Sequence, residues 1–278
     1  MQRAAEARAA GTIRVKLNYV VDTGRPPIHI VDWPEMEHTA VPAQYKEHEV
    51  EILNGRPLKG TFALDTHGFA FVDHPTAVRD FTDEEERRRV YDPEAAALIR
   101  KHSGASEVLV FDHTIRVSDE ATRTSLNARA PVRGVHNDYT EKSAPQRLRD
   151  VLGDEEAERR MEKRFAIIQI WRPIRRPVVS DPMAICDART IPGTGFILLQ
   201  RRYPHRTAEV YHIAYNPDHV WYTFPKMTRD EALVFKVFDS DASKEARFTA
   251  HTSFEDPTSP AAAWPRESIE TRTFAFFD

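Results

Sequence analysis

The chain has 278 residues, 41% hydrophobic and 29% charged, with a formal net charge of −4. That is apolar material enough for one large domain with a real core, and the faintly acidic balance offers nothing to a nucleic-acid or membrane-surface partner. No apolar run approaches the roughly 18 residues of a membrane-spanning helix, and the leading MQRAAEARAAGTIRV is too polar for a signal peptide.

Residues 1–50, with prolines at 26, 27, 34 and 42, read as an extended N-terminal arm laid over the core, with one strand at Thr12–Tyr19. Residues 51–164 carry a hairpin, helices and the first candidate metal ligands. The hairpin is expected in Gly60–Pro75, where Gly68 is free to take a positive φ and His67 and His74 read as solvent-exposed turn histidines. Thr82 with Glu85 reads as a capping box. Asp92 then reads as the N-cap of a helix with Pro93 at its first position, ending near Gly104. In the strand EVLVFDHTI, His113 sits on the apolar face as a satisfied core histidine. Ser143 with Gln146 caps a helix that Gly153 interrupts, and DEEAERRMEKR continues it.

From Phe165 the texture changes. FAIIQIW, MAICDA, FILLQ, EVYHIAY, HVWYTF, LVFKVFD, RFTAHTSF and SIETRTFAFF are short β-rich runs separated by turn residues. The fold expected is mainly β with flanking helices. Residues 165–278 would form a strand-rich double-stranded β-helix core, jelly-roll or cupin-like, and no linker divides the chain, so 1–278 reads as a single domain.

Within PVRGVHNDYTEKSAPQ, His136 and Asp138 stand at i and i+2, which point the same way on an extended strand. With a second histidine, such a pair forms the 2-His-1-carboxylate face that leaves metal positions open on non-haem Fe(II). Alone the pair means little: 12 histidines and 43 acids produce roughly two such H-x-acid matches by chance. The third ligand has to come from downstream. His205 lies in a basic turn, His219 opens a strand near a rim, and His212 is a mid-strand runner-up. His251 is the best candidate, because Thr249, His251 and Ser253 make a polar face in a strand that otherwise belongs in a core. Farther on, Arg266 and Ser268 share a face, and a guanidinium fork beside a hydroxyl suits a carboxylate.

In that order, H-x-D, distal His and R-x-S resemble the Fe(II)/2-oxoglutarate-dependent oxygenases. VFDHT, VHNDYTEKSA, IWRPI, DPMAICDART, YNPDHVWYTFPKMTRDEALVFKVFDS, FTAHTSFEDP and PRESIE look like a largely fungal branch. That branch includes the aspergillic-acid hydroxylase/desaturase, gibberellin-desaturase-like proteins and a cephamycin-cluster protein. The resemblance runs from about residue 60 to the C-terminus. It implies Fe(II) on His136, Asp138 and His251, 2-oxoglutarate on Arg266 and Ser268, O2 as co-reactant and ascorbate as a reductant. It also implies hydrogen abstraction from a small molecule, an amino acid or derived secondary metabolite, ending in hydroxylation, desaturation or oxidative cyclisation. The gap from His251 to Arg266 is longer than in plant-type members.

Alternation puts Ile167, Gln169 and Trp171 on one face, so Gln169, Trp171 and the neighbouring Tyr139 are the substrate-pocket candidates. A non-catalytic jelly-roll binding protein is the competing reading, and a zinc hydrolase lacks an H-E-x-x-H helix. The lone Cys186 cannot form an internal disulfide and reads as a plain buried thiol, which favours a reducing, cytoplasmic location. The partners expected are a small-molecule substrate, no nucleic acid and no membrane, with a homodimer left open.

Overall fold

A computed structural model describes residues 11–278; residues 1–10 of the expected arm lie outside the described residues. The strands are β1 (Thr12–Val20), β2 (Ile28–Ile30), β3 (Tyr45–Asn54), β4 (Phe69–Asp73), β5 (Glu107–Val117), β6 (His136–Asn137), β7 (Phe165–Pro173), β8 (Met183–Cys186), β9 (Phe196–Tyr203), β10 (Arg206–Ile213), β11 (Trp221–Thr223), β12 (Glu231–Asp239), β13 (His251–Ser253) and β14 (Glu267–Phe276). They build a nine-stranded sheet, β1-β3-β11-β8-β13-β6-β10-β9-β2, and a five-stranded sheet, β4-β12-β7-β14-β5. Each of the eight β-rich runs after residue 165 is a strand, and the chain crosses repeatedly between the sheets. This is the jelly-roll core expected.

The helices are α1 (Glu84–Glu86), α2 (Asp92–Ser103), α3 (Glu120–Ser125), α4 (Ser143–Leu152) and α5 (Asp154–Met161). Strand β7 shows how the layers stack, for all nine of its residues are buried. Ile167 and Trp171 face the large sheet, packing in one cluster with Ile185, Tyr222, Phe235 and Phe274. Ala166, Ile168 and Ile170 face the other way, against Leu98 and Ile99 of α2. A strand covered on both faces is apolar almost throughout, which is why FAIIQIW was so legible. Gln169 interrupts it from the inner face, toward the site.

The first half departs from expectation in three places. Residues 12–54 are not an arm: β1 and β3 pair antiparallel over their whole length at the edge of the large sheet. Their patterning is masked by charge, since Arg14 pairs with Glu49 and Lys16 with Glu47 across the exposed face. Charged residues are how a sheet edge resists further pairing. The hairpin is also absent. Residues 59–61 and 64–67 form turns, and β4 pairs with β12 instead. Gly68 does take a positive φ, +85°, but His67 is buried, its Nδ1 accepting from Ala63 N at 3.1 Å. His74 is half-buried and accepts from Arg172 Nη1 at 3.0 Å.

The caps moved as well. Asp83, not Thr82, accepts from the amides of Glu85 and Glu86. A π-helical turn, Arg87–Tyr91, leads directly into α2. Asp92 is therefore already helical and caps nothing; its carboxylate accepts from His113 Nε2 at 2.8 Å. His113 Nδ1 meets Thr271 Oγ1 at 2.9 Å, so this histidine is satisfied, as expected. At α4 the capping hydroxyl is that of Thr140, which accepts from Ser143 N at 3.0 Å. Cys186 is buried, and burial pushes its thiol pKa up, away from reactivity.

Candidate active site

Strands β6 and β13 lie side by side in the large sheet, and their register sets His251 against His136. The ring centroids are 4.4 Å apart. Both strands are very short, and Asn137 ties them to the other sheet. Its Nδ2 donates to Tyr139 O at 2.8 Å and to Val237 O at 2.9 Å, while its Oδ1 accepts from Thr249 N at 3.1 Å. One buried amide, next to His136, thus ties down the backbone two residues before His251. The residues on either side of Asn137 both point opposite to it, so His136 and Asp138 turn together toward the gap between the sheets.

The two imidazoles are oriented by their own backbones. His136 Nδ1–H donates to Gly134 O at 2.8 Å, and His251 Nδ1–H donates to Thr249 O at 3.2 Å. Each bond leaves Nε2 as the free lone pair, the arrangement of a metal-ligating histidine. His251 Nε2 is buried without a hydrogen-bond partner. Burial, with His136 alongside, lowers the His251 pKa to about 4 and keeps the ring neutral. Asp138 completes the group: its Oδ1 is 3.3 Å from His136 Nε2, and one ligand atom from each of the three residues lies within 4.8 Å of the others. Burial pushes the Asp138 carboxyl up, but Arg272 foremost, with His136, holds it well below the usual carboxylate range. Two imidazoles, the buried His251 ring neutral, and an ionised carboxylate, gathered in one spot, suit a divalent cation.

The adjoining cavity is lined by His136, His251, Trp171, Ser253, Arg266 and Glu270. Arg266 is 3% exposed. Its Nη1 donates to Asp181 O at 2.6 Å and to Ser253 Oγ at 3.3 Å, and Nε has no partner. Burial pulls the Arg266 pKa down to about 9, the mark of a buried cation short of an opposing charge. Ser268 is fully buried on the same face, its Oγ also without a partner. The Arg266 guanidinium lining the cavity, with the buried Ser268 hydroxyl two residues on along the same face, fits a carboxylate group.

These observations are matched by likeness to known proteins. Residues 17–276 match the family model described as an oxidoreductase/YMDC permease-like domain. Over 256 residues the chain is 36% identical to the hydroxylase/desaturase CTB9 of Cercospora beticola, covering 84% of this chain and 78% of that one. Over 254 residues it is 30% identical to the Fe(II)/2-oxoglutarate-dependent dioxygenase nvfI of Aspergillus novofumigatus, covering 87% and 88%. The solved structure of the iron and alpha-ketoglutarate-dependent endoperoxidase NvfI superposes with a TM-score of 0.85 at 26% identity, over 96% of this chain and 98% of that one. The chain belongs to the Fe(II)/2-oxoglutarate-dependent dioxygenases.

The dioxygenase is therefore an enzyme using Fe(II), 2-oxoglutarate and O2, and the non-catalytic binding reading gives way. Its expected pocket residues have separated. Trp171 lines the cavity, with the Arg266 guanidinium 5.5 Å from its ring centre. Gln169 turns to the carboxylate ligand candidate, Nε2 donating to Asp138 Oδ2 at 2.7 Å. Tyr139 packs against the main apolar cluster. Of the other histidines, His205 is exposed, and His219, expected near a rim, is buried against Tyr19 OH at 3.3 Å. His212 is the register partner of His136 on the other side, with its Nδ1 on Tyr45 OH at 3.1 Å.

Sequence reading missed Arg272, Glu270 and Asn137. For the first two the signal is present: the alternation that joins Arg266 to Ser268 runs on along β14 to Glu270 and Arg272. No helix among the described residues is long and apolar enough to cross a membrane.

Proposed function

We propose that His136, Asp138 and His251 hold the Fe(II) of this dioxygenase, and that Arg266 with Ser268 receives the distal carboxylate of 2-oxoglutarate. One observation carries the assignment: His251 Nε2, Arg266 Nε and Ser268 Oγ are all buried, polar and without partners. Buried polar groups are usually hydrogen-bonded, so these three, on the ligand histidine and on the Arg266–Ser268 face, are open to a bound partner. Fe(II) and 2-oxoglutarate, when bound with O2, supply the oxidising chemistry.

The residues do the rest. His136 and His251 are oriented by Gly134 O and Thr249 O, which accept from their Nδ1–H groups and leave Nε2 facing the site. Arg266 and Ser268 fix the cosubstrate's far end, and Trp171 walls the cavity against water. The substrate is a small molecule, an amino acid or derived secondary metabolite. Hydroxylation, desaturation and oxidative ring closure all follow from hydrogen abstraction, and relatives named hydroxylase/desaturase and endoperoxidase support that range. A cytoplasmic location without nucleic-acid partners fits the buried, unpaired Cys186 and the net charge of −4. Light scattering would decide between monomer and homodimer.

The test is a mass-spectrometric screen of candidate amino acids and metabolites with Fe(II), ascorbate and 2-oxoglutarate. The reading expects Fe(II)-dependent conversion of 2-oxoglutarate to succinate and a product that has gained one oxygen or lost two hydrogens. Absence of Fe(II)-dependent 2-oxoglutarate turnover with every candidate would count against it.

A further inference from the structure

Arg272 is nearly buried, at 9% exposure, and engages four side chains at once. Its Nη1 donates to Asp112 Oδ2 at 2.7 Å and Thr114 Oγ1 at 2.8 Å. Its Nη2 donates to Asp138 Oδ2 at 3.0 Å and also to Glu270 Oε1, while Nε reaches Asp138 Oδ2 at 3.3 Å. Gln169 Nε2 donates to the same Oδ2. One oxygen of Asp138 is therefore claimed by an amide and a guanidinium, and only Oδ1 is turned toward His136. Nothing of the kind is needed for packing, since β14 and β7 already hold each other by nine register pairs.

We propose that Arg272, with Gln169, is a positioning residue that makes Asp138 present a single oxygen to the metal. The proposal rests on the ligand assignment above. A carboxylate free to rotate can offer both oxygens and occupy two metal positions; with Oδ2 held, Oδ1 alone is available, and the positions needed by a two-toothed cosubstrate and O2 stay open.

A cation beside a metal site would ordinarily repel the metal. Here Asp112 and Glu270 both pair with Arg272, so part of its positive charge is offset where it stands, while it still holds Asp138 ionised. Glu270 in turn lies 4.0 Å from Arg116, which keeps its own charge from facing the cavity alone. Asp112 and Thr114 lie two apart on β5, opposite Arg272 and Glu270, and so flank the guanidinium from one face; just beyond Asp112 the register shifts, leaving Phe111 of β5 as the extra residue.

Lysine keeps the charge but not the fork, so Arg272→Lys separates orientation from electrostatics. Co(II) titration of the whole chain, followed by its visible absorption, reads both affinity and coordination number. Arg272→Lys and Gln169→Met are expected to bind Co(II) about tenfold more weakly than wild type, within the range for lost outer partners of a ligand. Their spectra should shift toward higher coordination as Asp138 becomes two-toothed. Arg172→Lys alters another fully buried arginine, remote from the ligands, and is expected to lower the melting temperature while leaving Co(II) affinity and spectrum unchanged. If Arg272→Lys and Gln169→Met fold and match wild type within twofold with the same spectrum, the positioning role is overturned. If wild type and His251→Ala bind Co(II) alike, the ligand assignment itself has failed, which is a different result.

Discussion

His251 and His136 are direct cross-strand partners, 4.4 Å between ring centres, in strands of three and two residues. Strands this short have little register of their own. The pairing is held from outside by Asn137, whose amide joins Thr249, Tyr139 and Val237. The two imidazoles stand next to each other because a third side chain, pointing the other way, locks their strands.

Asn137→Ala removes three hydrogen bonds, two of them buried, and leaves backbone groups unpaired. At roughly 1 kcal/mol net per bond, with the added cost of orphaned groups, it should destabilise the fold by about 3 kcal/mol. Urea unfolding would read this as a lower midpoint with an unchanged slope. A midpoint within error of wild type would show that the register is held elsewhere.

Arg266→Met should raise the KM for 2-oxoglutarate roughly 10–100-fold, since charge-assisted hydrogen bonds are worth about 1.5–3 kcal/mol each. Ser268→Ala removes one neutral partner and should cost about fivefold. Steady-state kinetics with 2-oxoglutarate varied at saturating Fe(II) separates the two. Equal effects would mean that Ser268 is no weaker a partner than the arginine.

Much of this arrangement was legible. Strands β7 to β14 announce themselves because runs such as FAIIQIW and LVFKVFD are buried on both faces and bounded by turns. His136, Asp138, His251, Arg266 and Ser268 were each nameable from alternation. Strands β1 and β3 were not, because their edge position fills one face with paired charge that hides the apolar face carrying Val15, Leu17 and Ile52. Nor could Asn137 be weighed, since it looked like a spacer between two candidate ligands. Its importance lies in contacts at sequence separations of 100 and 112. His67 misled for a related reason: a turn histidine is exposed only if no later strand covers the turn.

Gly68→Ala offers a test of how the site is buttressed. At φ +85° a side chain is strained, and an added Cβ would lie 2.1 Å from Thr249 Oγ1. Thr249 is the residue whose carbonyl orients His251. The variant should lose about 1–3 kcal/mol of stability and bind Co(II) more weakly than wild type. Thermal melts with and without the metal would show both effects, and a loss of stability with intact metal affinity would uncouple Gly68 from the site.

His219 provides a pH signature away from the ligands. Burial lowers its pKa from 6.5 to about 4, against the opposing pull of Asp218; Tyr19 stacks on its ring. Between those values the unfolded chain binds the proton and the folded chain does not. The contribution is thus fully present above pH 6.5 and is lost as pH falls toward 4. Replacing His219 with Asn should flatten the acid limb of the stability curve by up to about 3 kcal/mol. Denaturant midpoints for both proteins at pH 7.5 and pH 5 give the comparison, and parallel losses would refute it.

The most direct test of the metal assignment is anaerobic absorption spectroscopy of the protein with Fe(II) and 2-oxoglutarate. Chelation of Fe(II) by the keto acid produces a visible charge-transfer band. Wild type is predicted to develop the band at one Fe(II) per chain, and His136→Ala and His251→Ala to lack it while remaining folded. A full-strength band in His251→Ala at wild-type Fe(II) affinity would contradict the claim that His251, brought beside His136 by the sheet, completes the iron site.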